Sequence, residues 1–367
     1  RTKYGMIGVI IHEVGHNFFP MIINSDERQW TWMDEGLNTF VQYLTEQEFE
    51  RGYPSRRGPA KNIVDYMKGD KSRISPIMTN SESIYQFGNN AYGKPATALN
   101  ILRETIMGRE LFDYAFKEYC TRWAFKHPSP ADFFRTMEDA SAVDLDWFWR
   151  GWFFTNDHVD ISIDNVRWYQ IDTKDPDIEM ALARERDKSQ PDYIADKRNK
   201  NDIPETMNEA DESLNDFYNT YDPFAVSILD KEDYEKYLSK LEEDEIELLN
   251  SGMNYYEIEF SNVGGLVMPL ILEMEYTDGT TEEIHIPAEI WRRNDERVKK
   301  VFLTEKELVS VTLHPWVETA DTDRNNNYWP PRAEPSRFEL FKQKRWGSGE
   351  NPMQRDRRAK EKVEEGN

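Results

Sequence analysis

A single cysteine, Cys120, occurs in the 367 residues, so neither an intramolecular disulfide nor a cysteine-rich zinc site can form. That scarcity fits a reducing compartment, yet large exported proteins with good cores also dispense with disulfides. No run approaches the ~18 to 20 apolar residues needed to span a bilayer. No signal peptide is present, and the opening "RTKYGMIGVII" reads as the middle of something larger. Basic residues are few, 46 against 69 acidic ones. The net charge of −23 argues against nucleic acid or an anionic membrane as a partner. Aromatic bulk is plentiful at 13% with eleven tryptophans, and the length suits two or three domains with cores of their own.

The pattern is that of an α+β protein. Residues 1–157 read as helical. In 96–119 apolar residues recur at three- and four-residue steps, giving Leu99, Leu102, Ile106 and Leu111 as a buried face. Another helix is expected from Asp34 through Phe49, ending before "RGYPSRRGP". "SPADFFRTMEDAS" carries a serine and proline start signal, and "DLDWFWRGWFF" is expected to close the core. From 158 the period changes to two, as at Val159, Ile161 and Ile163. Leu270, Leu272, Met274 and Tyr276 alternate, Asp278-Gly279 supplies a turn, and Ile284 and Ile286 answer on the return strand. The simplest reading is a β-sandwich over 158–316, interrupted at about 173–252 by an acidic insertion. Within the insertion, "KEDYEKYLSKLEEDEIELL" has the spacing of one surface helix. Residues 317–367 read as a Pro/Asn-rich connector and a charged, mobile tail. In that connector "DTDRNNN" lacks the central glycine and final glutamate of a calcium loop and reads as an Asx-rich turn.

His12 and His16 stand four apart, so on a helix their imidazoles project from one face and can share a zinc ion. Glu13 lies one step round and reaches the open position, where a general base is needed. Zinc with a free site needs a third protein ligand. Glu35 follows after eighteen intervening residues, in "WMDEGLN". Two core histidines on one face are the plain alternative. A neighbouring glutamate with no lysine or arginine nearby would then be costly to bury, and a metal removes that cost.

This His12-Glu13-x-x-His16, eighteen-residue, Glu35-Gly36 arrangement resembles the aminopeptidase-N-like gluzincins. The likeness continues in "AYGKPATALNILRETIMGRELFDYAFKEY", similar to the family's Tyr-x-Lys helix, and in "ADFFRTMEDASAVDLDWFWRGWFF". It covers roughly residues 5 to 155. "HNFFP", where many relatives read H-x-W-F-G, suggests a divergent bacterial branch. The resemblance implies a thermolysin-like catalytic subdomain with His12, His16 and Glu35 as ligands of one zinc ion. It further implies Glu13 as general base and Tyr92 as the phenol that hydrogen-bonds the oxyanion. Lys94 matches a family position that orients the site. Pro95 stands where relatives usually carry glycine. Gln42 stands where several hold an acid that tunes the ligands.

The implied function is zinc-dependent hydrolysis of peptides or proteins, in the manner of an aminopeptidase. The family's amine-anchoring Gly-x-Met-Glu-Asn is absent from the sequence, so exopeptidase action rests on resemblance alone. The chain is expected to be a C-terminal portion associated with a missing N-terminal one, and export is favoured over a cytoplasmic location. Two alternatives stay open: an inactive, structural subunit of a larger assembly, suggested by the acidic insertion, and hydrolysis of a different small substrate.

Overall fold

The computed structural model describes residues 3–332 and 351–364. The chain divides into two compact units, one of residues 1–166, 257–300 and 308–367, the other of 167–256 and 301–307. The class is α+β, as the sequence predicts.

The first unit begins with α1 (Lys3–Gly15) and α2 (Leu37–Phe49), followed by α3 (Lys94–Ile101), α4 (Arg109–Trp123), α5 (Pro130–Ser141) and α6 (Asp146–Phe154). α2 and α3 are each entered through a widened π-helical turn, Trp32–Gly36 and Gly88–Gly93. Such turns concentrate at functional sites. The long helix expected over 96–119 is broken. A third π turn at Leu102–Ile106 leads to Gly108, whose φ of +79° is open to glycine and closed to most residues. That break rotates the face of α4. Phe112, Ala115 and Tyr119 are buried, whereas Ile106 and Leu111 are only half-buried. α5 starts as predicted: the Ser129 backbone N–H and hydroxyl both donate to Asp132 Oδ2, at 2.8 and 2.7 Å, closing a capping box ahead of Pro130.

Aromatic rings tie these helices together. Phe133 is fully buried and lies edge-on to Tyr119 at 4.8 Å and to Trp32 at 5.7 Å. Trp32 in turn meets Phe153 at 4.9 Å, and Phe134 stacks on Trp149 at 4.6 Å. Trp32 belongs to the π turn that also carries Glu35, so the core holds one end of the candidate site.

The β part of this unit contains β3 (Leu270–Tyr276), β4 (Thr281–Ile286), β6 (Leu308–Leu313) and β7 (Tyr328–Trp329). They form one antiparallel sheet in the order β4-β3-β6-β7. The expected hairpin is present, with Leu270 opposite Ile286 and Leu272 opposite Ile284, and Gly279 at φ +78° in its turn. β1 (Ile161–Gln170), β2 (Asn254–Asn262) and β5 (Arg297–Thr304) form a three-stranded sheet in the order β1-β2-β5. "DTDRNNN" is a turn whose side chains serve the backbone. Asp321 accepts from the N–H groups of Asp323 and Ile161, and Asp323 accepts from that of Asn325.

The second unit carries α7 (Pro176–Ser189), α8 (Ile194–Asp202), α9 (Ile228–Leu238) and α10 (Glu243–Leu249), which bury few side chains. The single surface helix predicted over 231–249 is two, α9 and α10. The first helix ends at Leu238, and Glu242 opens a new one with its own capping box to Glu245. Trp168 stacks on Tyr256 at 6.2 Å and donates to Asn254 Oδ1 at 2.9 Å. The charged tail lies partly outside the described residues; 352–364 form a helix, α11 (Pro352–Glu364). No helix among the described residues is long and apolar enough to cross a membrane.

Truncating Phe133 to Ala should cost ~3–5 kcal/mol of stability in denaturant unfolding. Phe125→Ala, at a ring that is 84% exposed, should change it by less than ~0.5 kcal/mol.

Candidate metal centre

His12 on α1 and His16 just past its end stand one turn apart, with their rings edge-to-face at 4.7 Å. Glu35 reaches them from the π turn ahead of α2. Its Oε2 lies 3.1 Å from His12 Nε2 and 3.5 Å from His16 Nε2. Ligand atoms of these three residues all fall within 4.8 Å of one another. The three expected ligands therefore come together, from segments eighteen residues apart in sequence.

The surroundings determine where the protons sit. His12 Nδ1 faces the Gln42 carboxamide oxygen at 2.9 Å. His16 Nδ1 faces the Phe19 carbonyl oxygen at 2.8 Å, with Asp34 Oδ1 at 3.1 Å. Both partners are acceptors, so each imidazole, when neutral, carries its hydrogen on Nδ1 and turns a bare Nε2 lone pair towards Glu35. Two lone pairs and a carboxylate oxygen meet with no donor between them. Only a cation, or a proton taken up by an imidazole, relieves that repulsion. Two neutral imidazoles and a carboxylate are also a donor set that suits zinc, so the residues fit the metal. In the protonated alternative, burial opposes an imidazolium at His12, but Glu35 beside it holds its pKa above the usual value. Burial likewise opposes charge on Glu35, while His12 and the Tyr92 hydroxyl hold that carboxyl below its usual range. Burial, then the repulsion of Glu35, pushes the Asp34 carboxyl up to about 7.

Close helix approach makes this geometry attainable. Asn38 on α2 donates through Nδ2 to the His12 carbonyl oxygen at 2.8 Å. A β-carbon at Gly15 would stand 2.0 Å from Asn38 Oδ1, and one at Gly36 would stand 2.7 Å from Pro95 Cγ. Pro95 is thus packed against the turn that carries Glu35. A proline there has no N–H to donate, and the widened turn ahead of α3 accommodates it.

Glu13 is exposed and, among the described residues, has no hydrogen-bond or ion-pair partner. It lines a cleft of ≈ 540 Å³ together with His12, Gln42, Tyr43, Arg57 and Tyr92. The Tyr92 hydroxyl donates to Glu35 Oε1 at 2.5 Å, and burial followed by that contact pushes its pKa well above the usual phenol value. Arg57, which sequence reasoning missed, lays its guanidinium over the Tyr92 ring at 4.3 Å. It sits in the polar breaker segment, where no periodicity marks it. Asn38 and Glu46 were missed as well, although both stand one turn from Gln42 on α2 and so share its face. Lys94 does not face the ligands. Its ammonium is wholly buried and donates to the Thr155 carbonyl oxygen at 3.2 Å.

Comparison with known proteins places these observations. Residues 1–152 match the family described as Peptidase family M1 domain. Glutamyl aminopeptidase of Bos taurus is 26% identical over 172 residues, covering 45% of this chain and 18% of its own length. That of Sus scrofa is 29% identical over 139 residues, 36% of this chain and 15% of its own. Probable aminopeptidase 1 of Sulfurisphaera tokodaii is 23% identical over 181 residues, 46% and 22% respectively. The chain therefore matches about a fifth or less of these relatives' lengths. A solved structure titled as Legionella pneumophila aminopeptidase A in complex with aspartic acid covers 88% of this chain and 27% of its own, at 12% identity and a TM-score of 0.47.

Lys94 yields a pH prediction. Burial, then the nearby Lys71, pushes its pKa from 10.5 down to about 7. Between those values the unfolded chain binds more protons than the folded one, so this group makes stability rise with pH from about 7 to 10.5. Lys94→Met should flatten that rise in Tm-against-pH curves. An unchanged slope would mean that the ammonium is hydrated.

Proposed function

We propose, from the premise that residues 1–152 are a domain of peptidase family M1, that this domain hydrolyses peptide bonds with zinc. His12, His16 and Glu35 would hold the ion, in a protein that acts as an aminopeptidase. The observation carrying this reading is the convergence of two imidazole Nε2 atoms on one carboxylate oxygen, 3.1 and 3.5 Å away. Zinc at that point supplies a Lewis acid for the scissile carbonyl and lowers the pKa of a water towards ~7.

The protein's own groups do the rest. Glu13 takes a proton from the attacking water and returns it to the leaving amine, and its freedom from other partners suits that exchange. Tyr92 donates its hydroxyl hydrogen to the carbonyl oxygen as negative charge grows there, giving up Glu35 Oε1 to do so. Arg57 on the ring face restrains the phenol's swing. The names of the mammalian and archaeal relatives support removal of N-terminal residues. Met6, Ile10 and Val14 stand at four-residue steps along α1 and are more than half exposed. We assign that apolar stripe to contact with the polypeptide carrying the rest of the peptidase fold.

In the full-length protein, metal analysis should find about one zinc per chain, and a chelator should abolish hydrolysis of aminoacyl-anilides. Glu13→Gln should lower kcat ~10²–10⁴-fold, and Tyr92→Phe ~10²–10³-fold with KM nearly unchanged. Full activity in Glu13→Gln would refute the assigned base. Equal cleavage of N-terminally blocked peptides would show endopeptidase action instead.

A further inference from the structure

Gln42 and Glu46 form a relay for which the site's ligands alone give no reason. Gln42 Nε2 donates to Glu46 Oε1 at 2.7 Å, while Gln42 Oε1 lies 2.9 Å from His12 Nδ1. Glu46 is only 4% exposed, and its other oxygen accepts from the Ser55 hydroxyl at 2.5 Å. No cation pairs with this carboxylate among the described residues. Gly8 on α1 closes over it: a β-carbon there would stand 2.9 Å from Glu46 Oε1 and 3.4 Å from Gln42 Nε2.

A carboxamide has two nearly isosteric ends of opposite hydrogen-bonding character. Left alone beside His12, Gln42 could offer either its oxygen or its nitrogen. Those choices select opposite tautomers of the imidazole. Glu46 removes the ambiguity, because both its oxygens accept, one from Gln42 Nε2 and the other from the Ser55 hydroxyl. With Glu46 on one side, the Gln42 nitrogen is drawn towards it and the oxygen is left facing His12. The ring then carries hydrogen on Nδ1 and keeps Nε2 bare.

We infer that Glu46, acting through Gln42, sets the tautomer and ring orientation of His12 and thereby its competence as a metal ligand. Gln42 and Glu46 are positioning residues; neither touches the reacting atoms. The effect on metal affinity rests on the zinc reading above; the effect on the tautomer does not.

Two measurements separate these. In metal-free protein, at a pH where imidazoles are neutral, long-range ¹H–¹⁵N spectra of labelled histidine report the His12 tautomer directly. Chelator competition reports zinc affinity. The wild type should show His12 with hydrogen on Nδ1. Glu46→Leu should give mixed tautomers and a zinc affinity ~10–100-fold weaker, the usual cost of losing a ligand's outer partner. Glu46→Gln replaces the carboxylate by a second two-ended carboxamide, which can accept from Gln42 Nε2 or donate to Gln42 Oε1, so it too should give mixed tautomers. The exchanged pair, Gln42→Glu with Glu46→Gln, turns a carboxylate to His12 and should keep the hydrogen on Nδ1 with an affinity within ~3-fold of wild type, which decides the matter should Glu46→Leu fail to fold. The inference is overturned if Glu46→Leu leaves both tautomer and affinity unchanged. It is equally overturned if Glu46→Gln keeps the single wild-type tautomer or if the exchanged pair loses it. A wild type that binds no zinc, yet shows the tautomer response, sinks the metal reading and leaves the relay standing.

Discussion

Everything in the helical region is organised around electron pairs that point at one another. His12 and His16 are each held through Nδ1 by an oxygen, so their Nε2 atoms have nothing to offer Glu35 except repulsion. A folded protein tolerates that arrangement only when a positive charge is available. The helices reach it through a chain of dependencies. Trp32 anchors the Glu35 turn in the aromatic core, Asn38 ties α2 to the His12 backbone, and Gly36 lets Pro95 close against the same turn. Stability and chemistry therefore share residues. Loosening the rings around Phe133 would be felt at Glu35, since both adjoin Trp32.

Much of this was legible beforehand. The four-residue step from His12 to His16 is a statement about helix geometry, and the structure realises it. Glu35 could be named because zinc's coordination number demands a third ligand and the family spacing supplies one. The β3–β4 hairpin could be read because period-two burial and Asp-Gly are local signals. The break at Gly108 was harder to see, because three- and four-residue steps continue across it and only the backbone reveals the positive φ. The division of 231–249 into two helices has the same cause: Glu242 caps a new helix within a run whose charge pattern looks continuous.

Site residues escaped the sequence reading where their role depends on a neighbour's hydrogen-bond polarity. Gln42 was noticed as a departure, since the resemblance implies an acid there that tunes ligand orientation. The structure gives it a different part, as the bridge to a carboxylate one turn on. Lys94 fits its family position in sequence yet turns its ammonium to Thr155. A linear motif specifies residue type, whereas a side chain's direction is decided by what packs round it.

Gly8 and Gly15 stand two turns apart on α1, and each is overhung by a polar side chain of α2. Glycine to alanine inside a helix is a standard route to a hardier enzyme, gaining up to ~1 kcal/mol per position in an exposed helix. Here the added methyl group at either position would wedge two ligand-bearing segments apart. Programmes that raise heat tolerance by consensus or propensity should leave this seam untouched, for its missing carbons are what allow the two segments to lie close enough to bring His12, His16 and Glu35 together.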